Sequence, residues 1–258
     1  MQLSDDLIAC AGLIERGDPD RFTAAMAAPP EARRVLFPLY AFNLEVARAP
    51  WVTQETMIAE MRLQWWRDAL EEIAKGGEVR RHEVVTPLSQ VLDRDTAARL
   101  DPLVGARRWD IYRDPFEDAA HLTRYLEETS GLLLLAAGRA LGGIDEGVAL
   151  DAGYAFGLAA FLRAVPELES KGRVPLLDGR PEGVAALARG GLERLKQARK
   201  GFGGVPKASR PALLAGWQAG PVLALAAKEP QRVAEGTLEL SEFSKRARLV
   251  KAGFTGRV

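Results

Sequence analysis

Asp114 and Asp118 stand four residues apart in D-P-F-E-D, as do Asp68 and Glu72, and carboxylates at that spacing share one face of a helix. On facing helices, such pairs would hold magnesium, a hard ion that takes oxygen ligands in near-octahedral geometry. A plainer reading fits both pairs. Pro115 suits the first helical position and Glu117 falls three after Asp114, so D-P-F-E-D reads as a capping box that opens a helix at Asp114. Asp68 and Glu72 lie beside Arg67 and Glu71, on a face expected to be solvated. Cys10 is alone, and His82 and His121 are far apart without metal-ligand spacing, so no thiolate or imidazole zinc site is expected.

Arg48, Arg163 and Arg173 remain as cationic groups for anion binding without metal. Arg48 and Arg163 could meet a phosphate directly, but ion pairing is the default: Arg48 with Glu45 or Glu55, and Arg163 with Glu167 one turn on. The run Arg194, Lys196, Arg199, Lys200, Lys207 and Arg210 flanks G-F-G-G-V-P-K, which lacks the spacing of a phosphate-binding loop, and it reads as a solvated face, with contact to anionic lipid as the lesser alternative.

Helices must position these residues. Apolar residues recur at helical spacing and alternating β-branched runs are nearly absent, so the chain is expected to be all-α. Ser4 caps a helix reaching about Arg16, and Asp18 with Pro19 opens a second. Pro29-Pro30 opens a long apolar helix over about 31–49, kinked at Pro38 and ended by Pro50. Thr53 caps the next, which runs to about Lys75 and stops at Gly76-Gly77. Two helices are expected within about 86–108, one from Asp114 toward Gly142-Gly143, and others over about 145–164, 181–200, 209–228 and 241–253. No linker divides the chain, so residues 1–258 are expected to form one domain.

The 35 basic and 35 acidic side chains cancel, which argues against a nucleic-acid partner. Asp5 and Asp6 interrupt the N-terminus before an apolar run develops, so no secretory leader is expected. The apolar stretches 132–138 and 219–227 fall well short of the roughly 20 residues of a spanning helix. A cytoplasmic protein is expected, at most in peripheral contact with the inner face of the membrane.

Three segments carry a family resemblance. Arg34, Leu36, Leu39, Tyr40, Ala41 and Phe42 form R-x-L-x-x-L-Y-A-F; residues 62–68 read R-L-Q-W-W-R-D; Gly153, Leu162-Arg163, Glu167, Gly172-Arg173 and Leu176 follow with matching spacing. Together they resemble the squalene/phytoene synthase family. That resemblance implies an isoprenoid synthase-like helical bundle around a central cavity, in which active members join two prenyl diphosphates head to head with magnesium. It also implies D-x-x-x-D on two facing helices. The corresponding positions here hold Ala47 or Arg48 and then Trp51 on the first helix, and Ala164 and Leu168 on the second.

Losing both acid pairs removes the charge that would hold the metal, so no cofactor is expected; magnesium enters only if the chain is an enzyme with a rearranged site. A-F-N-L-E-V-A at 41–47, M-R-L-Q-W-W at 61–66, Y-L-E-E-T-S-G-L-L-L-L at 125–135 and L-R-A-V-P at 162–166 resemble a branch of that family represented by a mitochondrial complex I assembly factor. This implies a non-catalytic role with a respiratory-complex subunit or assembly intermediate as partner. Head-to-head prenyl transfer and non-catalytic isoprenoid or quinone binding are the alternatives. The candidate cavity or ligand-binding residues are Arg34, Tyr40, Phe42, Asn43, Arg48, Trp51, Phe161, Arg163, Glu167 and Arg173. Aromatic residues at these spacings serve equally well as plain core, whereas small Ala47, Ala160 and Ala164 leave room for an apolar tail.

Overall fold

Asp18 accepts a hydrogen bond from the Arg21 backbone N–H at 3.0 Å while Pro19 takes the first helical position, so α1 (Asp5–Gly17) passes directly into α2 (Pro19–Ala27). A computed structural model describes residues 4–255 of the chain, and every regular element among them is helical. Ser4 caps α1 through the Leu7 N–H. α3 (Pro30–Arg48) runs unbroken through Pro38, whose neighbours Phe37 and Leu39 are buried, and ends in a tight turn over Ala49–Trp51. Packing on both sides of Pro38 outweighs the single hydrogen bond the ring removes.

Thr53 does not cap α4 (Thr56–Lys75); its hydroxyl accepts from the Glu55 N–H at 3.1 Å in the turn before the helix. Gly76, with φ at +70°, closes α4 in the left-handed conformation. The 86–108 segment folds as short pieces, because Asp93 and Pro102 start new helices inside it: α5 (Val85–Ser89), α6 (Arg94–Arg99), α7 (Asp101–Ala106) and then α8 (Trp109–Tyr112). A fork from Arg67 to both oxygens of Asp101, at 2.7 and 2.9 Å, ties α4 to α7.

The helix expected from Asp114 starts later. Asp118 is its cap, accepting from the His121 N–H at 2.7 Å, and α9 spans Ala119–Leu126. Burial of Phe116, stacked on Trp109 at 4.2 Å between ring centroids, holds residues 114–118 out of the helix. A π-helical turn over Glu127–Gly131 links α9 to α10 (Leu132–Ala140).

α11 (Glu146–Ser170) outruns its expected end at 164, since Pro166 again costs one hydrogen bond beside the buried Leu162 and Val165. It is long and apolar enough to cross a membrane, which the shorter apolar runs in the sequence did not suggest, but most of it is buried in the bundle. Gly131 and Gly153 let it approach the π-turn: a Cβ on Gly153 would lie 2.4 Å from the Gly131 Cα. α12 (Pro181–Gly201) packs along α11.

The single helix expected over 209–228 is divided at Gly216, against which the Phe156 ring sits, giving α13 (Arg210–Leu213), a tight turn over Leu214–Gly216 and α14 (Ala219–Lys228). α15 (Gln231–Ala234) and α16 (Glu242–Thr255) complete the chain's described part. One apolar core lies among α1, α3, α4 and α10, and another among α9, α11, α12 and α14.

Candidate functional site

Small residues on α11 face the end of α3 and leave two adjoining cavities. The first, about 370 Å³, lies between Ala47, Arg48 and Trp51 on one side and Ala160, Ala164 and Leu168 on the other. The second, about 320 Å³, has an apolar wall of Tyr40, Leu133, Leu134, Phe156, Trp217 and Leu238, with Asp20, Arg163 and Glu239 also bordering it. Arg21, Ser130, Ala160 and Ala164 line both. Ser130 and Thr129 reach this position because the π-turn re-aims them; Thr129 Oγ1 donates to the Tyr125 carbonyl at 2.6 Å.

The first cavity contains a buried polar cluster. Tyr125 donates its hydroxyl hydrogen to Asp110 Oδ2 at 3.1 Å, and Arg107 donates to the Tyr125 oxygen at 2.9 Å and to Asp110 Oδ2 at 3.4 Å. Burial pushes the Asp110 carboxyl above the usual carboxylate range, with Arg107 opposing it, and burial likewise pushes the Tyr125 phenol up. Arg107 Nε is buried without a hydrogen-bond partner.

This donor set does not suit a magnesium ion. The α3 and α11 positions that would supply carboxylates carry Ala47, Arg48, Trp51, Ala164 and Leu168. Of the acids that do border this cavity, Asp110 is engaged by Arg107 and Tyr125, while Glu167 pairs with Lys171 at 2.6 Å. Among the described residues no three metal-ligating side chains cluster. A divalent ion would have to displace Arg107 or Lys171 from its partner and would still lack a second facing acid. The other acid pairs are occupied elsewhere. Glu72 is held by Arg80 at 2.6 Å and kept below the usual range by that hydrogen bond, and Asp68 accepts from Gln64 at 2.7 Å.

Tyr40 lines the second cavity, Phe161 the first, and Trp51 closes the first with Lys171 Nζ 4.4 Å above its ring. Arg48 borders the first cavity, half exposed, 3.8 Å from Glu45 and not paired with Glu55. Arg163 pairs across elements, with Asp20 at 2.7 Å and Glu239 at 4.0 Å, and not with Glu167, which Lys171 takes.

The remaining candidates lie away from the cavities. Arg34 is exposed on α3 and lines neither. Phe42 is core, edge-on to Trp66 at 5.5 Å. Asn43 is buried, with its Oδ1 unpartnered, but lines neither cavity. Arg173 is a structural clamp: it donates to the backbone carbonyls of Trp109 and Asp110 and lies over both Trp51 and Trp109. The basic run on α12 is not one patch, for Arg194 reaches inward to Glu127 and Asp151 while Lys196 meets Glu193.

Sequence reasoning passed over Arg21, Arg107, Asp110 and Lys171. R-R-W-D looks like an ordinary helix end, and nothing local marks Asp110 as buried. Tyr125 was visible only as the first residue of Y-L-E-E-T-S-G.

The sequence pattern described as squalene/phytoene synthase matches residues 14–176, more than half of the chain, and the protein belongs to that family. Two curated relatives extend the comparison. The Drosophila melanogaster protein named NADH dehydrogenase (ubiquinone) complex I, assembly factor 6 homolog is 32% identical over 168 residues, 61% of this chain and 50% of that one. The Homo sapiens assembly factor 6 is 27% identical over 169 residues, 64% of this chain and 51% of that one. The chain thus spans about half the length of these relatives.

In fold, it is similar to a dehydrosqualene synthase, with a TM-score of 0.80 at 18% identity, covering 96% of both chains. It is also similar to the squalene synthase HpnC of Alicyclobacillus acidocaldarius, with a TM-score of 0.70 at 16% identity, covering 88% of this chain and 94% of that one. The architecture is therefore the all-α, isoprenoid synthase-like bundle.

Proposed function

We propose that this protein is a non-catalytic member of its family that serves as an assembly or maturation factor for the respiratory NADH:quinone oxidoreductase. It works in the cytoplasm at the inner face of the membrane, and its partner is a subunit or assembly intermediate of that complex. One observation carries the reading: Ala47, Arg48, Trp51, Ala164 and Leu168 stand around a retained cavity at the positions where metal-holding acids belong. The similarity to proteins named assembly factor 6 supplies the direction.

The chemistry agrees. Ionising an allylic diphosphate builds charge on the leaving group, and the divalent ion that normally stabilises it contributes several kcal/mol. A cavity whose acids are already engaged by Arg107 and Lys171 does not gather such an ion. The apolar second cavity, lined by Tyr40, Phe156 and Trp217, suits the tail of an isoprenoid lipid or quinone held without turnover.

Deletion of the gene, with assay of NADH:quinone oxidoreductase assembly in native gels, tests the role, together with affinity capture from solubilised membranes. Loss of the assembled complex and recovery of one of its subunits are expected. Normal assembly in the deletion strain, with no subunit captured, would remove the proposal.

A further inference from the structure

A surface helix ordinarily turns polar residues away from the face it packs. α16 does not. Its inward face carries Leu249 and Ala252, the latter 3% exposed, and the helix rests on α2 and the Leu214–Gly216 turn. Opposite that face, at successive turns, stand Phe243, Ala247 and Val250, all exposed, with Phe243 at 84% and Val250 at 58%. Helical spacing puts Arg246 on one flank of this stripe and Lys251 on the other, both exposed. Four cations and one carboxylate lie on α16, in a chain whose total charges cancel.

We propose that α16 is a membrane-surface helix whose Phe243–Ala247–Val250 stripe, flanked by Arg246 and Lys251, seats on an anionic lipid bilayer. An exposed aromatic and aliphatic stripe between basic flanks is the pattern of a helix lying in the plane of a membrane interface. Charge complementarity selects this occupant. In a two-fold contact between copies, the same basic-flanked stripe would meet itself and set cation against cation.

The location gives the contact a use. Lys245, on the same helix, lies 4.0 Å from Glu239, and Glu239 borders the apolar cavity 4.0 Å from Arg163. α16, the helix that would meet the bilayer, is therefore tied to the border of the cavity by one ion pair. The inference rests on the membrane-proximal part of the proposed function and names the face that makes the contact.

The test is flotation of the full-length protein with phosphatidylcholine vesicles, and with vesicles of equal parts phosphatidylcholine and phosphatidylglycerol. The protein is expected to float with the second kind and not the first, and to dissociate as salt is raised. Phe243→Glu with Val250→Glu should weaken binding at least about tenfold, and Arg246→Gln or Lys251→Gln roughly fivefold each. Met57→Glu with Met61→Glu alters a different exposed apolar surface, on α4, and should leave flotation unchanged. Unchanged thermal melting of each variant shows that the fold survives.

Four results would each overturn the proposal: no flotation of the wild type, equal flotation of the Phe243/Val250 variant, loss on altering Met57 and Met61, or a stripe-dependent dimer that does not float. The assay contains no respiratory subunit. Failure here leaves the deletion-strain result standing, and failure there leaves this one.

Discussion

Arg163 on α11 donates to Asp20 Oδ2 on α2 at 2.7 Å, and this contact joins two helices that border the apolar cavity. Glu239, from the segment between α15 and α16, approaches the same guanidinium at 4.0 Å. The chain is thus fastened at one point across three distant parts of its sequence. Both main partners are partly exposed, with side chains at 28% and 39%, so solvent screens the pair and its contribution is modest. Arg163→Ala is expected to lower stability by about 1 kcal/mol in urea unfolding. A double-mutant cycle with Asp20→Ala should show coupling; strictly additive losses would mean that the contact does no stabilising.

Asp110 differs because it is buried. Removing it leaves the Arg107 guanidinium uncompensated in the interior, so Asp110→Ala should cost about 3–5 kcal/mol; Asp110→Asn also removes the charge but keeps an amide oxygen as acceptor for Tyr125 and Arg107, and should cost less than Ala. Burial raises the folded-state pKa above the unfolded value, so between the two the native state binds the extra proton. Stability from this group therefore falls as pH rises through that window and levels off above it. Unfolding measured across the acid range should show this slope in the wild type and lose it in Asp110→Asn. An identical slope in the variant would assign it to other carboxylates.

That cluster also marks where the sequence stopped being informative. The bundle was legible because Ser4, Asp18 and Gly76 carry their start and stop signals locally, and because apolar spacing in α3, α4 and α11 follows one helical period. The frame of the cavity was legible as well, since Ala47, Trp51, Ala160 and Ala164 occupy recognisable positions around it. Pairings between distant segments were not. Whether Arg163 meets Glu167 or Asp20 depends on where α2 packs, and the burial of Asp110 depends on Arg173 clamping its backbone from 63 residues away. Pro115 and Glu117 pointed to Asp114 as the cap in sequence; the burial of Phe116 leaves that role to Asp118.

The engaged acids predict the response to magnesium. Titration calorimetry with pyrophosphate should give the same weak or absent heat with and without magnesium, and incubation with farnesyl diphosphate and magnesium should yield no coupled product. Coordination needs free carboxylate oxygens, and in the first cavity Asp110 and Glu167 are already held. Magnesium-dependent binding, or a head-to-head product, would restore the enzyme reading.

Ala164 offers the most direct test of occupancy, because its methyl group borders both cavities. Replacing it with phenylalanine adds a ring where the two spaces adjoin. Overpacking in a close-packed core costs about 1–3 kcal/mol, but here the ring enters existing space, so the lower end is expected. If an apolar tail resides there, native mass spectrometry of the wild-type protein drawn gently from cells should show a bound lipid mass that Ala164→Phe lacks. Tyr40→Phe is the companion variant: it keeps the cavity wall, removes only a buried hydroxyl, and should retain the mass. A wild-type protein without any bound mass, or an Ala164→Phe protein carrying the same one, would mean that the cavity holds no tail and that the family's central space persists only as a consequence of how the helices pack.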